Sequence, residues 1–354
     1  MIDNIISFNK LDRKSQENLS KEILNSNNAR LLFLLLYFSE GQNIKEISKK
    51  ILDTKEYKYI YYLLRHFKIE GYQEYVNYLI GNSKTAENLY NILFDIDYLD
   101  TDTRIEIINH ILDMKSEKYI YHAFYYFFNY LKLYDEKLLE KIIPYAQKNS
   151  LKITKDNYKD TLDYLLYNYD GIKEPKQYSS KCYKGRNGYV PNLIVCHSNN
   201  TYNSAIKYFY DNVSEVSSHF VIRRDGYVKE VISLDDAAWT NGTSLDENSD
   251  VYYKFSTSKI VKENKDNANY FSFTIEHESF DGSLTDKQFE ATIDVMERII
   301  QYIKDKYEYD FIIDREHIIG HCEVNPLTRT KCPGKMFPYE KIINELKKIN
   351  YLSN

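Results

Sequence analysis

Three side chains in the second half of the chain have the chemistry of metal ligands. His197 ends an apolar run, His321 follows Gly320, and Cys332 precedes Pro333. Two imidazoles and one thiolate form a known shell for catalytic zinc, which leaves a fourth position open for water. The spacing of the three residues matches no fixed metal motif, and a lone cysteine is commonly a small buried hydrophobe. The three residues alone therefore leave a zinc site and a structural role both open.

Two short strands would position the reactive groups. The run NLIVCH at residues 192–197 predicts a buried strand that ends in His197. The run FSFTIEHES at residues 271–279 predicts a second strand, in which alternation places Glu276 and Glu278 on one polar face. A polar face on an otherwise apolar strand indicates that the strand borders a cleft. Geometry alone does not say which of the two carboxylates would act there.

Helices are interleaved with these strands. A β-hairpin is expected around Asp225–Gly226, a turn pair that tolerates positive φ. Helices are expected at residues 204–211, 285–307 and 339–349, the second of them opened by a capping box at Thr285 and Gln288. Strands mixed with flanking helices predict an α/β domain with a mixed sheet.

Six sequence blocks occur in a fixed order between residues 177 and 346. The blocks are the apolar strand ending in His197, SSHFVIRRDG at 217–226, AAW at 237–239, TIEHE at 274–278, HIIGH at 317–321 and KCPG at 331–334. Because of them, this region resembles the type-2 N-acetylmuramoyl-L-alanine amidases, which are relatives of the peptidoglycan-recognition proteins.

The resemblance implies a role for each matching residue. His197, His321 and Cys332 match the zinc ligands of the family. Glu276 matches the acid that many bacterial and phage members use to activate water. Thr330 stands where some members have a threonine and others have a lysine that stabilises the oxyanion. The resemblance therefore implies a Zn²⁺ cofactor, with Glu276 and Thr330 as the catalytic pair.

Two positions depart from the pattern of the family. Ser218 stands where some relatives have a tyrosine near the metal, which leaves more of the proton transfer to Glu276. Trp239 is followed by Thr240–Asn241 where many relatives have His–Ala, so the substrate contact of those relatives does not carry over. The family motif favours Glu276 over Glu278 as the acid.

The resemblance also implies a reaction. Members of the family hydrolyse the amide between N-acetylmuramic acid and the L-alanine of the stem peptide in peptidoglycan. One alternative is a non-catalytic peptidoglycan-recognition module, since relatives that lack the ligand cysteine are sensors; the presence of Cys332 and Glu276 argues against it. Another alternative is a thiol hydrolase, but a nucleophilic Cys332 would need activation by a helix N-terminus or a paired histidine.

The first half of the chain has a different character. Glycine and proline are rare before residue 170 and frequent after it, which predicts a helical first half. Residues 51–67 and 111–127 match at nine of 17 positions, which predicts solenoid-like stacking of helical hairpins. We expect an α-helical repeat domain at residues 1–170 and a zinc amidase domain at 171–354, joined near 170–178. Four hairpins are expected, at about 29–54, 57–83, 85–114 and 117–148.

Tyrosine is the unusual residue of the chain, with 36 copies beside one tryptophan. Tyrosines in helices normally pack their rings and keep the hydroxyl at the rim, and this interpretation is favoured here. The alternative is a surface that stacks on sugars or on a partner. The helical half is therefore expected to be a targeting or docking module that binds a wall polymer, a protein partner or its own copy.

Composition excludes several classes of protein. A net charge of −5, evenly spread, disfavours a nucleic-acid surface. No apolar run reaches the length of a membrane span, and the N-terminus has no signal-peptide core. Four cysteines are too few for a disulfide framework. We expect a chain that is made in the cytoplasm and acts at the bacterial cell wall, as a phage- or prophage-type lysin (an endolysin) or as an autolysin.

Overall fold

A computed structural model describes residues 1–168 and 174–352 of the chain. The chain divides into two compact units, residues 1–169 and 170–354. The first four residues of the predicted junction at 170–178 lie outside the described residues. No described helix combines the length and the apolar character that a membrane crossing requires.

The first unit is helical, as predicted. Three of the expected hairpins are present as the pairs α3–α4, α5–α6 and α7–α8. The fourth is broken: α9 runs into a π-helical turn at Tyr126–Tyr130, and the two short helices α10 and α11 follow it. Pro144 lies in the first turn of the last of these helices, where proline is tolerated. Stacking of the hairpins into a solenoid stays a prediction. The helices are α1 Ile2–Ile6, α2 Arg13–Asn25, α3 Ala29–Phe38, α4 Ile44–Asp53, α5 Tyr57–His66, α6 Tyr72–Asn82, α7 Ala86–Asp95, α8 Thr101–Asp113, α9 Glu117–Tyr125, α10 Glu136–Glu140, α11 Ile143–Lys148 and α12 Tyr158–Asn168.

Tyrosine hydroxyls connect neighbouring helices of this unit. The Tyr98 hydroxyl lies 2.8 Å from both the Leu64 and the Phe67 carbonyl oxygens, at the end of α5. The Tyr78 hydroxyl donates to the Lys55 carbonyl at 2.6 Å. The last carbonyls of a helix have no partner within it, so these hydroxyls satisfy groups that would otherwise need water. The rings of six tyrosines are buried, which supports the packing interpretation for them: Tyr59, Tyr62, Tyr75, Tyr90, Tyr121 and Tyr126.

A buried arginine holds the connection between α7 and α8. Arg104 is only 4% exposed, and its guanidinium donates to three backbone carbonyls. These are the carbonyls of Leu93 at 3.2 Å, Asp97 at 2.8 Å and Leu99 at 3.0 Å. The planar guanidinium can reach all three at once, which the single ammonium of a lysine cannot.

Replacement of this arginine tests the connection. Arg104→Met should lower the free energy of unfolding by about 3 kcal/mol or more, because three buried carbonyls lose their donor. Arg104→Lys should give an intermediate loss. Arg13→Met is the control, since Arg13 forms an exposed ion pair with Glu17 and should change stability by less than about 0.5 kcal/mol. Urea unfolding followed by far-UV circular dichroism measures all three, and equal losses for Arg104→Met and Arg13→Met would contradict the interpretation.

The second unit is built on a five-stranded mixed sheet in the order β4-β3-β6-β2-β7. The neighbours β3–β6, β6–β2 and β2–β7 are parallel, and the hairpin β3–β4 is antiparallel. This confirms the predicted mixed-sheet domain. The strands are β1 Cys182–Tyr183, β2 Leu193–Asn199, β3 Phe220–Ile222, β4 Val228–Glu230, β5 Ala237–Ala238, β6 Ser272–Glu278 and β7 Ile318–Gly320; β1 pairs with β5 in a separate ribbon. The helices are α13 Tyr202–Tyr210, α14 Lys259–Asn264, α15 Asp286–Tyr307, α16 His321–Val324 and α17 Tyr339–Leu352.

Both faces of strand β2, which lies between β6 and β7, are covered. Ile194 and Cys196 point into the core formed with α15 and α17, and Leu193 and Val195 point to the opposite core, beside α14. Neighbouring side chains thus point to opposite faces, as they do in any strand, and the strand is buried as the apolar run at 192–197 predicts. The helix α15 begins with the predicted capping box, in which the Thr285 side chain accepts from the Gln288 backbone N–H.

Candidate metal centre

The three predicted ligands meet at the carboxyl ends of parallel strands. His197 lies near the end of β2, and His321 is the first residue of α16, immediately after β7. Cys332 lies on a loop between α16 and α17. One ligand atom from each residue lies within 4.8 Å of the others. The carboxyl edge of a parallel sheet is the usual place for a binding site, because several strands deliver side chains to one crevice.

The spacing of the three ligand atoms suits a zinc ion. The His197 Nδ1 atom lies 3.7 Å from the Cys332 Sγ atom. A tetrahedral centre with ordinary zinc–sulfur and zinc–nitrogen bonds would separate these atoms by about 3.6 Å. The His197 and His321 ring centroids are 4.4 Å apart. Two nitrogens and one sulfur are also the donor types that zinc prefers, so the residues fit this metal.

Close backbone packing fixes the loop that carries the cysteine. The Cys322 N–H donates to the Cys332 carbonyl at 3.0 Å. Gly320 has no side chain, and a Cβ there would lie 2.7 Å from the Pro333 Cδ atom. Gly334 has φ +124°, and a Cβ there would collide with the Asp281 carbonyl group. The thiol is therefore placed by two glycine contacts rather than by a strand.

Burial disfavours the charged forms of the side chains in this pocket unless a cation is bound there. It lowers the pKa of His197 to about 3 and that of His321 well below its usual range, so both imidazoles stay neutral. Neutral imidazole is the form that binds metal. Burial raises the pKa of the Cys332 thiol, so a thiolate there needs a positive partner. A divalent cation would meet that requirement.

The structure separates the two candidate acids. Glu276 is 8% exposed, its Oε1 lies 3.9 Å from the His197 Nδ1, and its Oε2 finds no hydrogen-bond partner in the described part of the chain. Burial raises the pKa of Glu276 to about 8, although the charge of Arg329 offsets part of the effect. Glu278 instead accepts the backbone N–H groups of Tyr202 at 2.8 Å and Arg224 at 3.0 Å. Glu278 is thus engaged in holding the fold, and Glu276 faces the ligands.

The remaining predicted residues lie around this group. Thr330 lies on the cysteine loop, partly buried, two residues before Cys332. Ser218 is fully buried and donates to the backbone and side chain of β6, so it does not replace the tyrosine of some relatives. His219 lies in a buried network with Arg186.

Sequence reasoning missed three polar residues next to the ligands. The Asn241 Oδ1 atom lies 2.9 Å from the His197 Nε2 atom, and the Asn325 Nδ2 atom lies 3.4 Å from the His321 Nε2 atom. Arg329 is exposed, and its charge influences Glu276. The only available signal was that Asn241 departs from the family pattern.

A groove is lined by Thr240 and Gly242, which flank Asn241 in the chain, and by the aromatic rings of Tyr183 and Trp239. The two rings are in edge contact, with centroids 5.7 Å apart. The groove therefore combines aromatic surface with backbone that adjoins the residue bonded to His197.

A glycine substitution tests how the cysteine loop is held. Gly334→Ala should weaken Zn²⁺ binding by about tenfold or more, because the new Cβ displaces the loop that carries the sulfur. Gly188→Ala is the matched control: Gly188 also has positive φ, +81°, but a Cβ there meets nothing within 4 Å. Chelator competition measures both affinities. Equal affinities in folded proteins would show that the loop does not need this contact.

The second unit matches a known family. Residues 187–335 match the family model described as N-acetylmuramoyl-L-alanine amidase. The 1,6-anhydro-N-acetylmuramyl-L-alanine amidase AmpD of Haemophilus influenzae is 26% identical over 133 residues, which are 37% of this chain and 59% of the relative. The chain thus spans about 59% of the length of this curated relative.

Solved structures of similar proteins cover about half of the chain. A crystal structure of an AmpD derivative is 20% identical, covers 51% of this chain and 98% of its own, and has a TM-score of 0.34. The N-acetylmuramoyl-L-alanine amidase LysC from Clostridium intestinale is 20% identical, covers 49% and 94%, and has a TM-score of 0.31. The resemblance that the six motifs predicted is confirmed for residues 187–335, which match the N-acetylmuramoyl-L-alanine amidase family.

Proposed function

We propose that the second unit is a zinc-dependent hydrolase that cleaves the amide between N-acetylmuramic acid and the L-alanine of the stem peptide in peptidoglycan. The observation that carries this proposal is the convergence of His197, His321 and Cys332 beside a buried carboxyl oxygen of Glu276 that has no hydrogen-bond partner among residues 1–168 and 174–352. The family match over residues 187–335 supports the choice of bond.

The proposed metal supplies chemistry that no side chain of the site has. His197, His321 and Cys332 would hold the zinc, which would lower the pKa of a water to about 7 and polarise the carbonyl of the amide. Glu276 accepts the proton of the attacking water and returns it to the departing amine. Burial raises the pKa of Glu276, and a cation bound beside it would lower that pKa again, so that the carboxylate could accept the proton and then return it.

Other residues of the chain would orient and stabilise the reacting amide. Thr330 adjoins the cysteine loop and is proposed to donate to the oxygen of the amide as negative charge develops on it. The groove with Tyr183 and Trp239 is proposed to receive the substrate, because aromatic faces pack on sugar rings and on apolar side chains. The AmpD relative is named for a 1,6-anhydro-muramyl substrate, so soluble muropeptides are candidates alongside intact wall.

Digestion of peptidoglycan tests the bond and the acid. The intact chain should release free stem peptides from purified wall or from 1,6-anhydro-muropeptides, as read by mass spectrometry. His197→Ala should abolish release, and Glu276→Gln should lower it at least about 100-fold, since it removes the group that takes the proton. Glu278→Gln is the comparison variant. It should lower the stability of the protein, because Glu278 accepts two backbone N–H groups.

The same assay separates the alternatives. A chelator should stop release and added Zn²⁺ should restore it. Activity that survives chelation but is lost on thiol alkylation would support Cys332 as a nucleophile, contrary to the raised pKa of its thiol. Binding to wall without any release by the intact chain would support a recognition module.

We infer a docking role for the helical unit. The support is its hairpin repeat and three exposed tyrosines, namely Tyr130, Tyr134 and Tyr164, which are 38–49% exposed. A chain that acts at the bacterial wall, as a lysin or an autolysin, would gain from a second attachment to wall polymer or to a partner.

Co-sedimentation with purified walls tests this role. The His197→Ala chain should sediment with walls, and a chain that starts at residue 174 should bind them at least about tenfold more weakly, because it loses the second attachment. Equal binding by both would place the wall contacts in the second unit and direct the search for the partner of the helical unit to proteins.

A further inference from the structure

We propose that Asn241 is a positioning residue that fixes the tautomer of His197, and that it does so through a buried hydrogen-bond relay ending at the Ala268 carbonyl. The inference rests on the proposed metal centre, because the tautomer matters only if His197 is a ligand. Asn241 is fully buried, and its Oδ1 lies 2.9 Å from the His197 Nε2 atom.

The direction of every bond in the relay follows from its last member. The Ala268 carbonyl oxygen can only accept, so the Ser272 hydroxyl, at 2.7 Å, must donate to it. The Ser272 oxygen is then left with lone pairs, so the Asn241 Nδ2 atom donates to it at 2.9 Å. The amide of Asn241 is thereby oriented with its oxygen towards His197.

An amide oxygen in that position requires a donor. The hydrogen of His197 is therefore on Nε2, and Nδ1 carries the lone pair. Nδ1 is the atom that lies 3.7 Å from the Cys332 Sγ and 3.9 Å from the Glu276 Oε1. The relay thus presents the metal-binding lone pair to the centre before any ion arrives.

The backbone of Asn241 is held as firmly as its side chain. The Asn269 Oδ1 atom accepts from the backbone N–H of Asn241 at 2.6 Å and from that of Thr240 at 3.1 Å. Ser272 is 1% exposed and Asn269 is 4% exposed, so water does not compete for these groups. A hydrogen bond from the second nitrogen of a ligating histidine fixes its tautomer and strengthens metal binding.

Three variants of the full chain test the members of the relay separately. Asn241→Leu removes the acceptor at similar volume, Asn241→Asp keeps an acceptor for His197, and Ser272→Ala frees the amide to rotate. Ser179→Ala is the matched control, since Ser179 is also a buried hydroxyl of the second unit and donates to a backbone carbonyl outside the relay, that of Phe209.

Zn²⁺ alone is the probe, titrated against a chelator of known affinity. Asn241→Leu should weaken Zn²⁺ binding about 10- to 100-fold, Asn241→Asp should stay within about threefold of the parent, and Ser272→Ala should fall between them. Ser179→Ala should match the parent. Parent-like affinity of a folded Asn241→Leu protein would overturn the proposal.

The tautomer itself is read without metal. Long-range ¹H–¹⁵N correlation spectra of the metal-free chain, labelled in histidine and assigned against His197→Ala, should show His197 protonated at Nε2. Protonation at Nδ1 would overturn the relay even if Asn241→Leu does not fold. A parent chain with the Nε2–H tautomer but no measurable Zn²⁺ affinity would instead overturn the proposed metal centre and leave the relay intact.

Discussion

The in-register parallel pairing of β2 with its two neighbours is the constraint on which the rest of the second unit depends. It sets His197 opposite Glu276 on one side and Cys196 opposite Gly320 on the other. His321 is the next residue after Gly320, so the same pairing brings the second imidazole to the first. A slip of one residue would turn His197 towards the α15 core, because side chains alternate between the faces of a strand.

Desolvation then decides what the assembled group can hold. Burial keeps the two imidazoles neutral and opposes ionisation of the thiol. One carboxyl oxygen also has no partner in the described residues. Together these groups are costly to bury unless a cation binds. The same low dielectric strengthens any charge interaction that forms in the pocket. The spacing of the ligand atoms and the burial of the pocket therefore both favour a bound cation, although they arise from different parts of the chain.

Local pattern was enough to predict much of this arrangement. The alternation in β2, the hairpin at Asp225–Gly226 and the capping box at Thr285 are decided by neighbours in sequence, and all three are present. The fourth helical hairpin is broken where Tyr126–Tyr130 forms a π-helical turn with Tyr126, Phe127 and Phe128 buried, which the repeat with residues 51–67 did not predict. Asn241 was missed because its partners lie 44 residues before it and 31 after it, beyond the reach of any local pattern.

The ligands of the centre differ in how they are supported. The two histidine nitrogens are positioned by strands of the sheet. The cysteine sulfur is positioned by a loop that packs against Gly320 and against the Asp281–Gly282 backbone. The third ligand can consequently change from a soft sulfur donor to a harder donor without any change in the sheet. Exchange of the thiol for a carboxylate at position 332 would shift the preference of the centre towards harder ions, without a change in strand order, register or either core. A change in this one loop would therefore be enough to change which metal the centre prefers.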